Sequence, residues 1–129
     1  MVDLRELTRT ARSYVVSRSM APAEAWDEAA AKHGGKAKTG YPRTMWLALC
    51  EAGLVKGVSP GDYAGRAGDM RKYAPRMVEL LIEDPDYEYE PESLFTDATE
   101  GKVPLQGQLD VLFGLYNHGL IDVAALAKT

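Results

Sequence analysis

A basic, glycine-rich stretch, residues 34–40, is the first feature with the residue types for chemistry, because it combines three glycines with two lysines. Backbone amides at the start of a helix, together with basic side chains, can hold a phosphate or another anion. The stretch lacks the Gly-x4-Gly-Lys-Ser/Thr spacing of a phosphate-binding loop, and no strand pattern precedes it. Lys36, Lys38 and Arg43 are therefore candidate anion-binding residues, and a plain solvated loop is the alternative.

The single cysteine and the two histidines have the chemistry for a nucleophilic or metal site. One cysteine excludes an intramolecular disulfide and a cysteine-only metal site. The helical spacing predicts Cys50 on a buried face, where a free thiol is usually inert packing. His118 follows Asp110 by eight residues on one predicted helix, without a recognisable third partner. We expect no catalytic residue, no metal and no cofactor, while a small enzyme of unknown reaction remains an alternative.

Apolar residues at spacings of three and four predict an all-α fold of about six helices, and no alternating apolar–polar run predicts a strand. Pro75 lies inside one of these patterns, so that helix either begins near Tyr73 or kinks at the proline. The predicted helices cover about residues 3–18, 23–33, 42–53, 70–83, 91–99 and 105–118. The predicted core contains Trp26, Trp46, Leu49, Phe95, Leu112, Phe113 and Leu115.

Two parts of the chain resemble each other in order and spacing. Residues 22–26 align with 91–95 on a proline and an aromatic residue, and residues 46–55 align with 112–121 through a shared Gly-Leu-aliphatic ending. Glycine supplies the left-handed residue that ends a helix, and the aliphatic pair then folds back over the last turn. We predict two pseudo-repeated three-helix halves, residues 3–57 and 68–123, joined by a connector at 57–68 within one domain.

Polar residues at matched places in these halves form a second binding hypothesis. Glu51 and Asn117 occupy equivalent positions before the capping glycines, with His118 beside Asn117, and Lys56 follows its glycine as Asp122 follows the other. If the halves are related by a twofold axis, these residues lie near the seam between them, where a groove often forms. Solvent-facing cap residues are the alternative.

Charge is distributed unevenly along this chain of 129 residues and net charge −4. Residues 1–76 hold 13 basic and 8 acidic residues, a net charge of +5, whereas residues 77–129 hold 2 basic and 11 acidic residues, a net charge of −9. Residues 83–100, here called the acidic region, contain eight acidic residues and no basic one. Such asymmetry bears on partners and on self-association. Two solvated faces are the simpler interpretation.

The composition also bounds the location and the number of domains. A length of 129 residues suits one domain. No stretch approaches the roughly 20 apolar residues that span a bilayer, and charged residues interrupt the N-terminus where a signal peptide needs an apolar run. We expect a cytoplasmic protein that does not bind a membrane.

The residues from Tyr41 to Val58 and from Gln108 to Ile121 resemble a family of small bacterial proteins classed only as a domain of unknown function. The shared motifs are Leu-Cys-Glu-x-Gly-Leu-Val-Lys-Gly at 49–57 and Asp-Val-x-x-x-Leu-x-Asn-x-Gly-Leu-Ile at 110–121. This chain has Tyr41-Pro42 where the family has Cys-Pro. The likeness covers about residues 5–122. It implies a bacterial-type cytoplasmic domain and transfers no catalytic or ligand-binding residue.

Together these features favour a non-enzymatic helical module for protein interaction or regulation. Its best surfaces are the acidic region and the basic loop at 34–43, and opposite charges on two copies also allow a homodimer. A nucleic-acid-binding domain of the helix-turn-helix kind is an alternative, because short helices joined by glycine turns, as predicted for this chain, can form helix-turn-helix units. The isoelectric point of about 5.2 argues against it, since such domains gain affinity from many phosphate contacts.

Overall fold

A computed structural model describes residues 3–33, 40–63 and 70–128 of the chain. Within these ranges the fold is all-α, which confirms the predicted class, and it contains no strand. The six α-helices are α1 (Leu4–Arg18), α2 (Pro22–Lys32), α3 (Tyr41–Glu51), α4 (Met70–Glu83), α5 (Pro91–Thr99) and α6 (Gln108–Tyr116). Two 3-10 helices, Pro85–Tyr89 and Val123–Lys128, follow α4 and α6. None of the helices in the described ranges has the length and apolar character needed to cross a membrane.

Local chemistry marks the starts of α1, α2 and α5. The Asp3 carboxylate accepts hydrogen bonds from the backbone amides of Arg5 and Glu6 at 3.1 and 3.2 Å, which satisfies two of the unpaired donors at the start of α1. Pro22 and Pro91 occupy the first turns of α2 and α5, where the missing proline N–H costs nothing.

Pro75 lies inside α4, which begins at Met70 and therefore starts before Tyr73. The proline removes one hydrogen bond to the first turn of the helix. Burial offsets this loss, because Met70, Tyr73 and Ala74 around the proline are all buried. The buried apolar face of α4 thus continues on both sides of Pro75 and keeps the first turn helical despite the missing hydrogen bond.

The predicted core residues are all buried in the structure, which confirms that part of the prediction. The rings of Trp26 and Trp46 stack with centroids 6.1 Å apart, and the indole N–H of Trp46 donates a 2.9 Å hydrogen bond to the carbonyl of Pro22. This pair joins α2 to α3. A buried indole needs such a partner, because an unsatisfied donor would cost about 1–3 kcal/mol.

The start of the last helix was predicted wrongly. α6 begins at Gln108 and not at Leu105, because Gly107 adopts a left-handed φ of +90° directly before it. The buried side chain of Gln108 donates to the carbonyl of Pro104 at 2.9 Å and folds the preceding loop against the helix start. Leu105 is consequently 42% exposed, although its spacing placed it on the apolar stripe.

The segments that follow α3 and α6 meet each other. Val55 and Ile121 form an isolated antiparallel bridge, in which the Lys56 amide donates to the Leu120 carbonyl at 2.9 Å and the Asp122 amide donates to the Leu54 carbonyl at 2.8 Å. In the predicted repeat Lys56 aligns with Asp122 and Leu54 aligns with Leu120. The two hydrogen bonds are therefore equivalent under that alignment.

The helices pack in a correspondingly repeated pattern. α1 packs on α2 and α6, α4 packs on α5 and α3, and α3 packs on α6. If α1, α2 and α3 are exchanged for α4, α5 and α6, each of these packing contacts maps onto another one or onto itself. The packing of α2 on α3 is the exception, since α5 and α6 do not pack as extensively. The predicted duplication remains a prediction, and this arrangement supports it. The predicted connector at 57–68 is described only as far as Tyr63.

Candidate protein-interaction site

The residues predicted for an anion site fall partly outside the described chain. Lys36 and Lys38 lie outside the described residues. Arg43 is in the first turn of α3, and its guanidinium contacts the two carboxylate oxygens of Asp27 on α2 at 3.0 and 3.4 Å. The positive charge of Arg43 is therefore used to hold α3 against α2.

Glu51 also contributes to packing between helices. Its carboxylate receives Arg71 of α4 at 2.9 and 3.2 Å, and the same guanidinium reaches Asp62 at 3.0 Å. The Glu51 side chain is 21% exposed, so this contact is partly shielded from solvent. Glu51 thus ties the end of α3 to α4 and to the segment after α3.

The other residues of the predicted seam remain on the surface. Lys56 is exposed, while its backbone carbonyl accepts a 2.8 Å hydrogen bond from Arg12 Nε. Asn117 and His118 are exposed at the end of α6. The matched positions therefore carry different contacts, since Glu51 forms an ion pair whereas Asn117 faces solvent.

Cys50 has no access to a substrate. Its side chain is completely buried on α3, and burial raises the pKa of the thiol well above its ordinary value. A protonated, enclosed thiol is a poor nucleophile and a poor metal ligand. Among the described residues, no group of three or more His, Cys, Asp and Glu side chains is arranged to hold a metal ion.

Residues 83–92 of the acidic region, here called the acidic ridge, connect α4 to α5 and are held by two side-chain hydrogen bonds. The Asp84 carboxylate accepts a 3.1 Å hydrogen bond from the Asp86 amide at the start of the 3-10 helix. The hydroxyl of Tyr87 donates a 2.6 Å hydrogen bond to the Asp97 carboxylate on α5, and this bond raises the pKa of Tyr87. Tyr89, two residues further on, is 82% exposed. The segment therefore presents an aromatic ring on an anchored backbone.

The carboxylates of this ridge face solvent. Among the described residues none of the following six forms an ion pair: Glu83, Asp84, Asp86, Glu88, Glu90 and Glu92. Near the C-terminal end of the acidic region, Glu100 contacts Lys102 at 3.2 Å, which lowers the pKa of the Glu100 carboxyl. The surface between residues 83 and 92 thus keeps a strong negative potential that can attract a cationic partner.

A pocket of about 210 Å³, here called the α5–α6 pocket, adjoins this ridge. Leu105, Leu109 and Phe113 form its apolar wall, and the carboxyl-bearing residues Glu92 and Asp110 line it as well. Arg5 of α1 closes one side, with its guanidinium 3.7 Å from Asp110 and 5.9 Å from the centre of the Phe113 ring. The pocket therefore combines apolar surface with carboxylates.

The α5–α6 pocket was missed at the sequence level. It combines residues of α1, α5 and α6 that are far apart in the chain, so no local sequence pattern predicts it. The one relevant signal was Leu105, an apolar residue directly after a proline and close to Gly107, which was placed at the start of the last predicted helix.

Fold and surface together define a small all-α domain with an acidic ridge and an adjoining pocket. The chain belongs to a family of unknown function, DUF6979, whose family model matches residues 5–122. The predicted resemblance to a family of unknown function is therefore confirmed, while the bacterial character of the family stays a prediction. No curated protein and no solved structure matches the chain.

Proposed function

We propose that the protein is a non-enzymatic interaction module whose acidic region binds a basic surface or segment of another protein. The observation that carries the proposal is the row of exposed carboxylates between residues 83 and 92, which form no ion pair with any described residue and which end at Glu92 in the α5–α6 pocket. The carboxylates supply long-range attraction, and the pocket supplies a place where a side chain can be buried.

The chemistry of the pocket fits a long basic side chain. The aliphatic stem of a lysine or arginine can pack on Leu105 and Phe113, while its charged end reaches the carboxylates of Glu92 and Asp110. An exposed ion pair alone contributes only about 0.2–1 kcal/mol, so the apolar contact is needed for affinity. The chain's own Arg5 lies beside Phe113 and Asp110 in this way, which supports a basic side chain as the ligand.

The alternatives draw less support from the described residues. Arg43 and Arg71, two of the basic side chains within residues 1–76, are already paired with carboxylates, and the acidic ridge repels phosphates. A thiol-based enzyme is disfavoured by the burial of Cys50. The cytoplasmic location remains a prediction.

The test is binding of a fluorescein-labelled, lysine- and arginine-rich peptide of about ten residues, followed by fluorescence anisotropy at low and at high salt. We expect binding at low salt that weakens as salt rises. The combined substitution Glu88→Gln, Glu90→Gln and Glu92→Gln should weaken it by about tenfold or more.

The matched control removes the same three negative charges from other exposed positions, through Glu6→Gln, Glu24→Gln and Glu28→Gln on α1 and α2. This variant should bind the peptide within about twofold of the unmodified protein, because screening limits the effect of distant charges. Equal loss of binding in both variants would mean that only net charge matters, and the proposed site would be rejected.

A further inference from the structure

A second pocket, of about 420 Å³, lies between the α1–α2 turn and the segment after α3. Its apolar lining includes Val15, Met20, Val58 and Tyr63. A pocket of this volume falls in the range that takes drug-sized ligands, so it has room for a tyrosine ring. We call it the α1–α3 pocket.

Two basic residues, Lys56 and Arg12, lie next to Gly57 at one side of the α1–α3 pocket. Lys56 is exposed directly before Gly57, which lines the pocket, and Arg12 is fixed beside it by the 2.8 Å hydrogen bond from its Nε to the Lys56 carbonyl. Val16 packs against Gly57, since a β-carbon at Gly57 would lie 2.8 Å from Val16 Cγ2, and it is 48% exposed. The pocket thus joins an apolar floor and an apolar edge to positive charge.

The same chain carries a group that complements this pocket. Tyr89 is 82% exposed and stands between the exposed carboxylates of Glu88 and Glu90. The 3-10 helix Pro85–Tyr89 packs on α4 and α5 and is held there by the bond from Tyr87 to Asp97, whereas the α1–α3 pocket is lined by residues within 15–22 and 57–63. A contact between Tyr89 and an α1–α3 pocket must therefore join two molecules.

We propose that the acidic region of one copy docks on a second copy of this chain, with Tyr89 in the partner's α1–α3 pocket and its flanking glutamates against Lys56 and Arg12. This inference rests on the proposed function and names the partner of the acidic region. The net charges of +5 for residues 1–76 and −9 for residues 77–129 favour such a head-to-tail contact over like-with-like pairing. Two different surfaces meet, so the contact either closes on itself as a dimer or extends into chains.

Sedimentation velocity of the full chain from about 10 µM to about 1 mM, at low and high salt, measures the self-association. We expect mass to increase with concentration at low salt and the increase to disappear at high salt. Tyr89→Ser should raise the dissociation constant by about tenfold or more, because a buried tyrosine is a frequent anchor of interfaces. Val123→Ser, at another exposed apolar residue, is the matched control and should leave it unchanged.

A second variant, Val16→Glu with Lys56→Glu, makes the charge beside the pocket more negative by three, and Ala31→Glu with Lys32→Glu, at two exposed positions of α2, makes the same charge change elsewhere. Val16 and Lys56 have exposed side chains, so both variants should keep the circular dichroism spectrum of the unmodified protein. Each defective variant should be monomeric alone. An equimolar mixture of the Tyr89 variant and the pocket variant should form a one-to-one dimer, because one intact surface remains on each.

Monomeric protein at every concentration, or self-association that neither variant weakens, would overturn this inference. A mixture that stays monomeric would overturn it as well. These outcomes are separate from the proposed function, which stands or fails on binding of the basic peptide. Peptide binding without self-association would mean that the acidic region serves a different protein.

Discussion

A close approach of α6 to α1 yields a prediction about Gly114, which lies within α6 opposite Arg5 of α1. A β-carbon at this position would lie 2.9 Å from both Cα and O of Arg5, which are backbone atoms that no side-chain rotation can move. Ordinarily, alanine in a helix is favoured over glycine by roughly 0.5–1 kcal/mol. Here the added methyl group must push α1 away from α6, and such overpacking costs about 1–3 kcal/mol.

Because the obstacle is backbone, we take the upper part of the overpacking range, about 2–3 kcal/mol, and subtract a helix-propensity gain of about 1 kcal/mol. Gly114→Ala should therefore lower the free energy of unfolding by about 1–2 kcal/mol. For a chain of this size the melting temperature would fall by roughly 3–8 °C. Urea unfolding followed by circular dichroism measures the loss. The slope of the free energy against urea should be unchanged, since the compactness of the folded state is preserved.

Gly119→Ala separates the two physical causes. Nothing lies within 4 Å of a β-carbon at Gly119, but its φ of +68° is left-handed, so alanine there costs about 1–2 kcal/mol through the backbone alone. A Gly114→Ala protein that is equally stable or more stable than the unmodified one would show that α1 does not press on α6, and the reasoning would be refuted.

Two further predictions concern reactive side chains. Cys50 should not react with a thiol reagent in the folded protein, even when the pH is raised to about 9, because burial both encloses the thiol and raises its pKa. It should react fully in urea. Rapid labelling of the native protein would contradict the buried placement. Tyr87 should ionise above its ordinary pKa of about 10, because its hydroxyl donates to Asp97 and ionisation removes that bond. A raised folded-state pKa means that the contribution to stability is present below the unfolded value and is lost as pH rises through the folded value. Tyr87→Phe should therefore abolish this alkaline loss in urea unfolding across pH, and an identical pH profile in both proteins would count against the bond.

The helices and the core were predictable because their signals are local. Apolar residues three and four apart define the buried stripes, and glycines mark the helix ends before Leu54 and Leu120. The side chains of Trp26 and Trp46 were placed in the core on the same grounds, and their burial confirms it. Such signals depend on neighbours within one or two turns, which a sequence displays directly.

The site was less predictable because its contacts join distant residues. The ion pair between Arg43 and Asp27 spans 16 residues, and the contact of Glu51 with Arg71 spans 20, so both charges looked available at the sequence level. Leu105 fitted a helical stripe, but the left-handed Gly107 after it ends that pattern. The pockets arise only when the helices are packed, since their walls come from separate elements.

The segments that follow α3 and α6 have similar backbone geometry and differ in surface charge, and this difference bears on the proposed function. Gly53 and Gly119 both adopt left-handed conformations that end α3 and α6, so substitutions there should act on stability. Lys56 and Asp122 occupy equivalent places in the exchanged hydrogen bonds but carry opposite charges. The Asp122 carboxylate accepts a 3.1 Å hydrogen bond from the Ala124 amide at the start of the last 3-10 helix, so folding accounts for an acidic residue there. The side chain of Lys56 is exposed next to Gly57 of the α1–α3 pocket, and a positive charge at this place is what the proposed head-to-tail contact with the acidic region requires.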